Sequence, residues 1–186
     1  MVVNAGFIQD HLKEIIRDMS KKCTLRYYPI AVRLNGIKSV VVGGGKIAQR
    51  KVLQLLDTES HVQFISPEAT LILRRLAEKQ KVRWTKRYVI KSDLSDVDII
   101  IAATNDVDVN RKVSKWAQDN KTWVNVVDNP GLSNFISPAV FRLKKSIITV
   151  YTDGKDPVLS RDVKNFLKER WDDFLSYRHR LQKASA

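Results

Sequence analysis

Cysteine, histidine and long apolar runs are scarce in this sequence of 186 residues. The single cysteine, Cys23, cannot form an internal disulfide bond, and the three scattered histidines show no metal-ligand spacing. No apolar run approaches the ~20 residues that a membrane-spanning helix needs. Acidic residues interrupt the apolar pattern between Met1 and Asp18, unlike in a secretory signal peptide. We therefore expect a soluble cytoplasmic protein with no metal site and no membrane partner.

Acidic residues are also few relative to basic ones. The sequence has 33 lysines and arginines against 20 aspartates and glutamates, a formal net charge of +13. This excess favours a polyanionic partner such as nucleic acid, a membrane surface or an acidic small molecule, although a basic solvated surface would give the same balance. The basic residues are spread along the chain, without an arginine-rich tract or interleaved aromatic residues. We therefore do not expect nucleic acid as the partner.

Strand-like and helix-like patterns alternate over residues 36–128. Helical spacing of apolar residues follows Gly45, begins again at Pro67, and extends from Asp106 to about Asn120. Such alternation predicts parallel βαβ units in a doubly wound α/β sheet, a Rossmann-like fold. The segments with strand-like patterns are Ile37–Val42, His61–Ile65, Val82–Thr85, Val97–Ala103 and Trp123–Val127.

The alternation stops after Pro130. Two apolar segments, Phe135–Phe141 and Ile147–Tyr151, lie close together without a helical pattern between them. One final helix is predicted after Pro157, and a short amphipathic helix is predicted at residues 8–19.

A glycine-rich turn follows the first predicted strand. Gly43, Gly44 and Gly45, with Ala48, match the pattern G-x-G-x-x-A between a strand and a helix. In a dinucleotide site the first glycine makes the tight turn and the second lets the backbone approach the pyrophosphate, which lies at the helix N-terminus. The sequence therefore predicts a dinucleotide site, with a plain turn between strand and helix as the alternative.

The acidic residue of that fingerprint is missing from its usual place. A carboxylate is expected ~20 residues further on, where it binds the ribose hydroxyls. Here Ser66 ends the second strand, and Glu68 comes only after Pro67. The sequence thus does not distinguish NAD from NADP.

Polar residues follow the next two predicted strands. Asp128 lies just beyond the last strand, at the edge where open α/β sheets bind ligands. It could act as a base or hold a protonated group, or it could cap the turn ahead of Pro130 through an Asx hydrogen bond. Thr104 can face the cofactor, whereas Asp106 or Asn105 is expected to cap the following helix.

Several motifs in order resemble the precorrin-2 dehydrogenase family, which includes the N-terminal module of multifunctional siroheme synthases. The resemblance covers about residues 27–170. The matching segments are Tyr28-Pro29-Ile30, Val40–Ala48 with Arg50 and Lys51, Ala102-Ala103-Thr104, Asn125–Pro130, Phe135–Ala139 and Asp156–Arg161.

The resemblance implies NAD-dependent oxidation of precorrin-2, a polycarboxylated tetrapyrrole, to sirohydrochlorin. Lys46 and Ile47 after the glycines, and Pro67 and Glu68 after the second strand, would border NAD. Asp128 matches the family's catalytic aspartate, the proton acceptor. Family members are homodimers built through the region after this aspartate, and a basic protein suits a substrate with many carboxylates.

The resemblance also divides the chain. We expect an N-terminal helical extension (1–26), an NAD-binding Rossmann domain (27–130), a dimerisation segment (131–157) and a C-terminal helical region (158–186). Asp153 and Asp156 occupy a turn that is rich in serine and glycine in the family, and they would repel a carboxylated substrate if they faced it.

Two alternatives stay open. Some family members also insert ferrous iron into sirohydrochlorin. The sequence ends at Ala186, soon after one predicted helix, where many members continue with a longer helical domain. The second alternative is a non-enzymatic NAD-sensing Rossmann module of the kind that regulates transporters.

Overall fold

A five-stranded parallel sheet forms the centre of the protein. The computed structural model describes residues 27–144 and 146–184, so the helix predicted at 8–19 lies outside the described residues. The strand order is β3-β2-β1-β4-β5, and all four pairings are parallel. This arrangement confirms the predicted α/β, Rossmann-like fold class. The strands are β1 (Lys38–Val42), β2 (His61–Ile65), β3 (Arg83–Thr85), β4 (Ile99–Ala102) and β5 (Trp123–Val126).

Helices cover both faces of this sheet. Val41 of β1 packs on one face with Ala48 and Leu73, and Val40 packs on the other face with Val113. Alternate residues of a strand point to opposite faces, so an uninterrupted valine run in β1 supplies both cores. The helices between the strands are α1 (Lys46–Leu56), α2 (Leu71–Glu78) and α3 (Val107–Asp119).

The start of α2 differs from the prediction. The helix begins at Leu71 and not at Pro67, because Thr70 is its N-cap. The Thr70 hydroxyl accepts a hydrogen bond from the Leu73 amide at 3.3 Å and donates one to the Gln49 side chain at 2.7 Å. The segment 66–69 is therefore left as a loop at the carboxyl end of β2.

The C-terminal part consists of a hairpin and two helices. The hairpin strands β6 (Ala139–Arg142) and β7 (Ile147–Val150) are antiparallel. They overlap the two predicted apolar segments, although β6 extends one residue beyond the first. The prediction of one final helix was wrong, because α4 (Pro157–Glu169) and α5 (Trp171–Ala184) are separated at Arg170. The Trp171 ring contacts Phe141 of the hairpin edge-on, with ring centroids 5.8 Å apart. Within the described ranges, no helix combines the length and apolar character that a membrane crossing requires.

An open cleft of about 440 Å³ separates α1 from the hairpin and α4. Lys51 of α1 lines it, and this residue is only 8% exposed. Its ammonium group has no hydrogen-bond or ion-pair partner among the described residues and is not fully enclosed. Burial, with a smaller contribution from the neighbouring charge of Arg50, lowers the pKa of Lys51 from 10.5 to about 8.

The lowered pKa of Lys51 predicts how stability depends on pH. The folded protein releases this proton near pH 8, whereas the unfolded chain retains it to about 10.5. In that window the unfolded chain binds more protons, so the free energy of unfolding rises with pH. We expect wild type to gain about 3 kcal/mol relative to Lys51→Met across the window.

Urea denaturation at both ends of the window measures this gain. Taking the difference between wild type and Lys51→Met removes the contributions of other groups that titrate. Lys115→Met, which removes an exposed lysine of α3 outside the cleft, should follow wild type. Parallel pH profiles for wild type and Lys51→Met would contradict the prediction.

Candidate functional site

A cavity of about 470 Å³ lies at the carboxyl end of the sheet. It lies between the turns that follow β1, β2 and β4, where the strand order reverses direction. Ligands bind at this point in open α/β sheets. The structure brings six of the predicted site residues to the cavity wall: Gly43, Gly44, Gly45, Pro67, Glu68 and Thr104.

The glycine turn is held by close backbone contacts on both sides. A Cβ at Gly43, whose φ is +127°, would lie 2.4 Å from the carbonyl oxygen of Ala103. A Cβ at Gly44 would lie 1.9 Å from the carbonyl oxygen of Glu68. Both distances are below any permitted contact, so these two positions require glycine for packing alone.

Gly45 differs from its two neighbours. A Cβ added there would meet nothing within 4 Å. Gly45 is the N-cap of α1, has extended backbone dihedrals and supplies no side-chain cap. The open space beside it therefore leaves the start of α1 accessible to a ligand.

Lys46 and Ile47 form the first turn of α1. Their side chains are exposed and do not form part of the cavity wall. The amide groups of a first helical turn have no acceptor within the helix, and the helix dipole adds partial positive charge there. These two residues can thus contribute backbone donors to an anion, as the phosphates of a dinucleotide require.

The end of β2 carries the residues nearest to the expected acidic position. Ser66 lines the cavity, and its carbonyl oxygen accepts a hydrogen bond from the Trp84 indole at 2.9 Å. Glu68 also lines the cavity, and its side chain is exposed. A carboxylate is therefore present at the cavity, although it comes from the loop after Pro67 and not from the end of the strand.

A buried amide connects the ends of β4 and β5. Asn110 of α3 is 1% exposed, and its side-chain oxygen accepts hydrogen bonds from the Thr104 hydroxyl at 2.7 Å and the Thr104 amide at 3.3 Å. Its amide nitrogen donates to the Thr104 carbonyl at 3.1 Å and to Asp128 Oδ1 at a longer 3.4 Å. Sequence analysis did not identify Asn110. The only signal for it is its own polar side chain at a position on the buried face of α3.

Asp128 is exposed and does not line the cavity. Among the described residues, no backbone amide donates to the Asp128 carboxylate. The capping hydrogen bond of this turn goes to the neighbouring Asn129, whose side chain accepts from the Gly131 amide at 3.0 Å. The alternative of an Asx cap therefore applies to Asn129. Of the two residues predicted to cap α3, Asp106 is the one that does so. Its carboxylate accepts hydrogen bonds from the Asp108 and Val109 amides.

A loop after β3 completes the cavity wall with Tyr88 and Val89, which sequence reasoning did not identify. Arg87 holds this loop through two hydrogen bonds of 2.7 Å to Asp93. The Arg87 guanidinium lowers the pKa of the Asp93 carboxyl, and the Ile90 amide acts in the same direction. The ion pair thus fixes one side of the cavity at neutral pH.

The two aspartates of the turn before α4 are engaged elsewhere. Asp156 caps α4, accepting from the Leu159 amide at 2.8 Å. Asp153 has a buried side chain, 5% exposed, that pairs with Lys155 at 3.4 Å. Neither residue lines the cavity or the cleft beside α1. Within the described ranges, no group of three or more histidine, cysteine, aspartate or glutamate residues is placed to hold a metal ion.

Comparison with known proteins gives curated relatives over most of this chain. Siroheme synthase of Blochmanniella floridana is 36% identical over 144 residues, which are 77% of this chain and 31% of that protein. Siroheme synthase of Neisseria meningitidis serogroup C is 33% identical over 153 residues, which are 82% of this chain and 31% of that protein. The chain spans less than a third of the length of these curated relatives.

A solved structure and a family model agree with these matches. The structure of SirC, a precorrin-2 dehydrogenase, matches with a TM-score of 0.71 and 28% identity, covering 84% of this chain and 78% of that chain. A family model described as putative NAD(P)-binding matches residues 30–139. The chain therefore belongs to this putative NAD(P)-binding family, and the resemblance to the precorrin-2 dehydrogenase family that its motifs indicate is confirmed.

Proposed function

We propose that the protein is an enzyme that oxidises precorrin-2 to sirohydrochlorin with NAD as the hydride acceptor. The observation that carries this proposal is Asp128, an exposed carboxylate that is not used as a cap and is linked through Asn110 to Thr104 on the cavity wall. The names of SirC and of the siroheme synthases support the same reaction. An NAD-sensing module would need no such carboxylate.

The cavity fits a dinucleotide in its shape and its donors. The space beside Gly45 and the unpaired first-turn amides of α1 suit the pyrophosphate. Pro67 and Glu68 also line the cavity, where the exposed Glu68 carboxylate can accept hydrogen bonds from ribose hydroxyls. We assign Thr104, at the end of β4, to the nicotinamide side.

Asp128 then acts as the proton acceptor. NAD, when bound, supplies the hydride acceptor. The substrate loses one hydride and one proton as a new carbon–carbon double bond forms, so an acceptor for the proton is needed. The Asp128 carboxylate can take that proton, and Asn110 holds it near Thr104. Asn110 is a positioning residue here, because its own hydrogen bonds join the ends of β4 and β5.

The proposal includes a cytoplasmic location and a homodimer. Support for a dimer comes from apolar side chains that are exposed on the hairpin and on α4 and α5, among them Ile147, Phe166 and Phe174. A dimer would have about twice the 21.4 kDa of one chain, a mass that light scattering can measure. A mass of one chain at micromolar concentration would overturn this part of the proposal.

An anaerobic incubation with precorrin-2 and NAD tests the reaction. NADH absorbance and sirohydrochlorin absorbance should rise together. Folded protein that forms no NADH would overturn the proposed function.

Gly45→Asp tests the glycine turn. The side chain enters open space, and aspartate is a favourable N-cap, so we expect the unfolding temperature to be unchanged or higher. The new carboxylate would repel the pyrophosphate, so NAD binding in calorimetry should be lost. Gly45→Ser, a neutral cap, is the matched control and should lose less affinity. NAD affinity equal to wild type in Gly45→Asp would show that the turn does not hold the phosphates.

Asp128→Asn tests the proton acceptor. The amide has the same shape but takes no proton at neutral pH, and general-base catalysis contributes ~10²–10⁴-fold to rates. We expect turnover to fall by at least about 10²-fold with unchanged NAD affinity. Asp119→Asn, at the far end of α3, should behave as wild type. Near-normal turnover in Asp128→Asn would remove Asp128 from the mechanism, and loss of NAD binding as well would indicate a damaged turn.

A further inference from the structure

The cleft beside α1 has a strongly one-sided charge. Its wall includes two basic residues of α1, Arg50 and Lys51, and two of α4, Arg161 and Lys164. No aspartate or glutamate of the described ranges lines it. The other polar residues of the wall are uncharged: Gln54, Ser137, Tyr151, Thr152 and Ser160.

Lys51 is the central feature of this cleft. A buried ammonium group is costly unless an opposite charge or several acceptors compensate for the lost water. Lys51 has neither among the described residues, and it lines the cleft with an ammonium group that is not fully enclosed. An anion that enters the cleft would supply the missing partner.

The other three basic residues of the cleft differ in whether they already form an ion pair. No ion pair within the described ranges involves Arg50 or Lys164, so both are available to an anion. Arg161 already contacts Asp162 at 3.0 Å, and both of these side chains are largely exposed. Lys51, Arg50 and Lys164 therefore form the part of the cleft that best suits a carboxylate.

The cleft and the nucleotide cavity are connected by α1. Gly45, the N-cap of α1, lines the cavity, and Lys51 lies six positions after it. At 1.5 Å per residue the two are separated by ~9 Å along the helix. A large ligand with charged groups on its periphery can therefore have one edge in the cleft and another near the nucleotide.

We propose that this cleft binds peripheral carboxylates of the tetrapyrrole substrate, with Lys51 as the central ion-pair partner and Arg50 and Lys164 beside it. This assignment rests on the proposed function, because it takes the polycarboxylated substrate from there. It gives Lys51 a binding role and no part in hydride or proton transfer.

The test compares Lys51→Met with wild type in a titration with sirohydrochlorin, followed by its absorbance. Loss of one charge-assisted hydrogen bond should weaken sirohydrochlorin binding at least ~10-fold. NAD affinity should stay the same, and the KM for precorrin-2 should rise with kcat nearly unchanged. Lys115→Met is the charge-matched control and should bind as wild type. Lys164→Met changes a half-exposed residue on the α4 side of the cleft and should also weaken sirohydrochlorin binding. It replaces Lys51→Met in the test if that variant does not fold.

The outcomes separate the cleft from the reaction. If wild type oxidises precorrin-2 while both cleft variants bind sirohydrochlorin as wild type does, the cleft assignment is overturned and the proposed function stands. If wild type forms no NADH but binds sirohydrochlorin in a Lys51-dependent way, the reaction fails and the cleft assignment stands. Folded wild-type protein that does not bind sirohydrochlorin overturns the assignment.

Discussion

Close backbone contact at the glycine turn is the constraint on which the cavity depends. The turn fits between the carbonyl groups of Ala103 and Glu68, at positions where any Cβ would overlap one of them. The loops after β1, β2 and β4 can therefore meet only because Gly43 and Gly44 lack side chains. The same packing sets how far Glu68 and Thr104 lie from the start of α1, so the geometry of the cavity follows from the turn itself.

Two buried polar residues, Asn110 of α3 and Lys51 of α1, differ in their hydrogen-bond partners. Asn110 uses both atoms of its amide in hydrogen bonds to Thr104 and Asp128. Fully satisfied buried networks of this kind make a structure rigid. Lys51 has no such partners among the described residues. The hydrogen bonds at the carboxyl end of the sheet are thus complete without a ligand, whereas the Lys51 ammonium group still lacks a counter-charge from the described residues.

Local patterns predicted the fold well because its sheet is built from continuous apolar strands. A cap of α3 by Asp106 or Asn105 could be predicted because the amides that donate to the Asp106 carboxylate lie within three residues of it. The start of α2 was predicted at Pro67 because the deciding hydrogen bond joins Thr70 to Gln49, a residue of another helix. The break at Arg170 was not predicted, and Trp171, directly after it, contacts Phe141 of the hairpin.

The functional residues also divide into those that local sequence patterns predict and those that only the fold reveals. The glycine turn is contiguous in sequence, so its place at the cavity could be predicted from the motif alone. Asn110 could not, because its importance comes from hydrogen bonds to two strand ends. The cleft cations come from α1 and α4, more than 100 positions apart. Only the folded chain brings them together, which is why the net charge indicated an anionic partner without locating its site.

Two requirements fix the spacing of residues in the first two turns of helix α1. Its first turn has to meet the glycine turn, and its second has to present Lys51 to α4. An α-helix rotates by ~100° per residue. One residue inserted between Gly45 and Lys51 would swing the lysine out of the cleft while the turn stayed in place. The number of residues between the glycine turn and Lys51 is therefore fixed by the two sites that they serve.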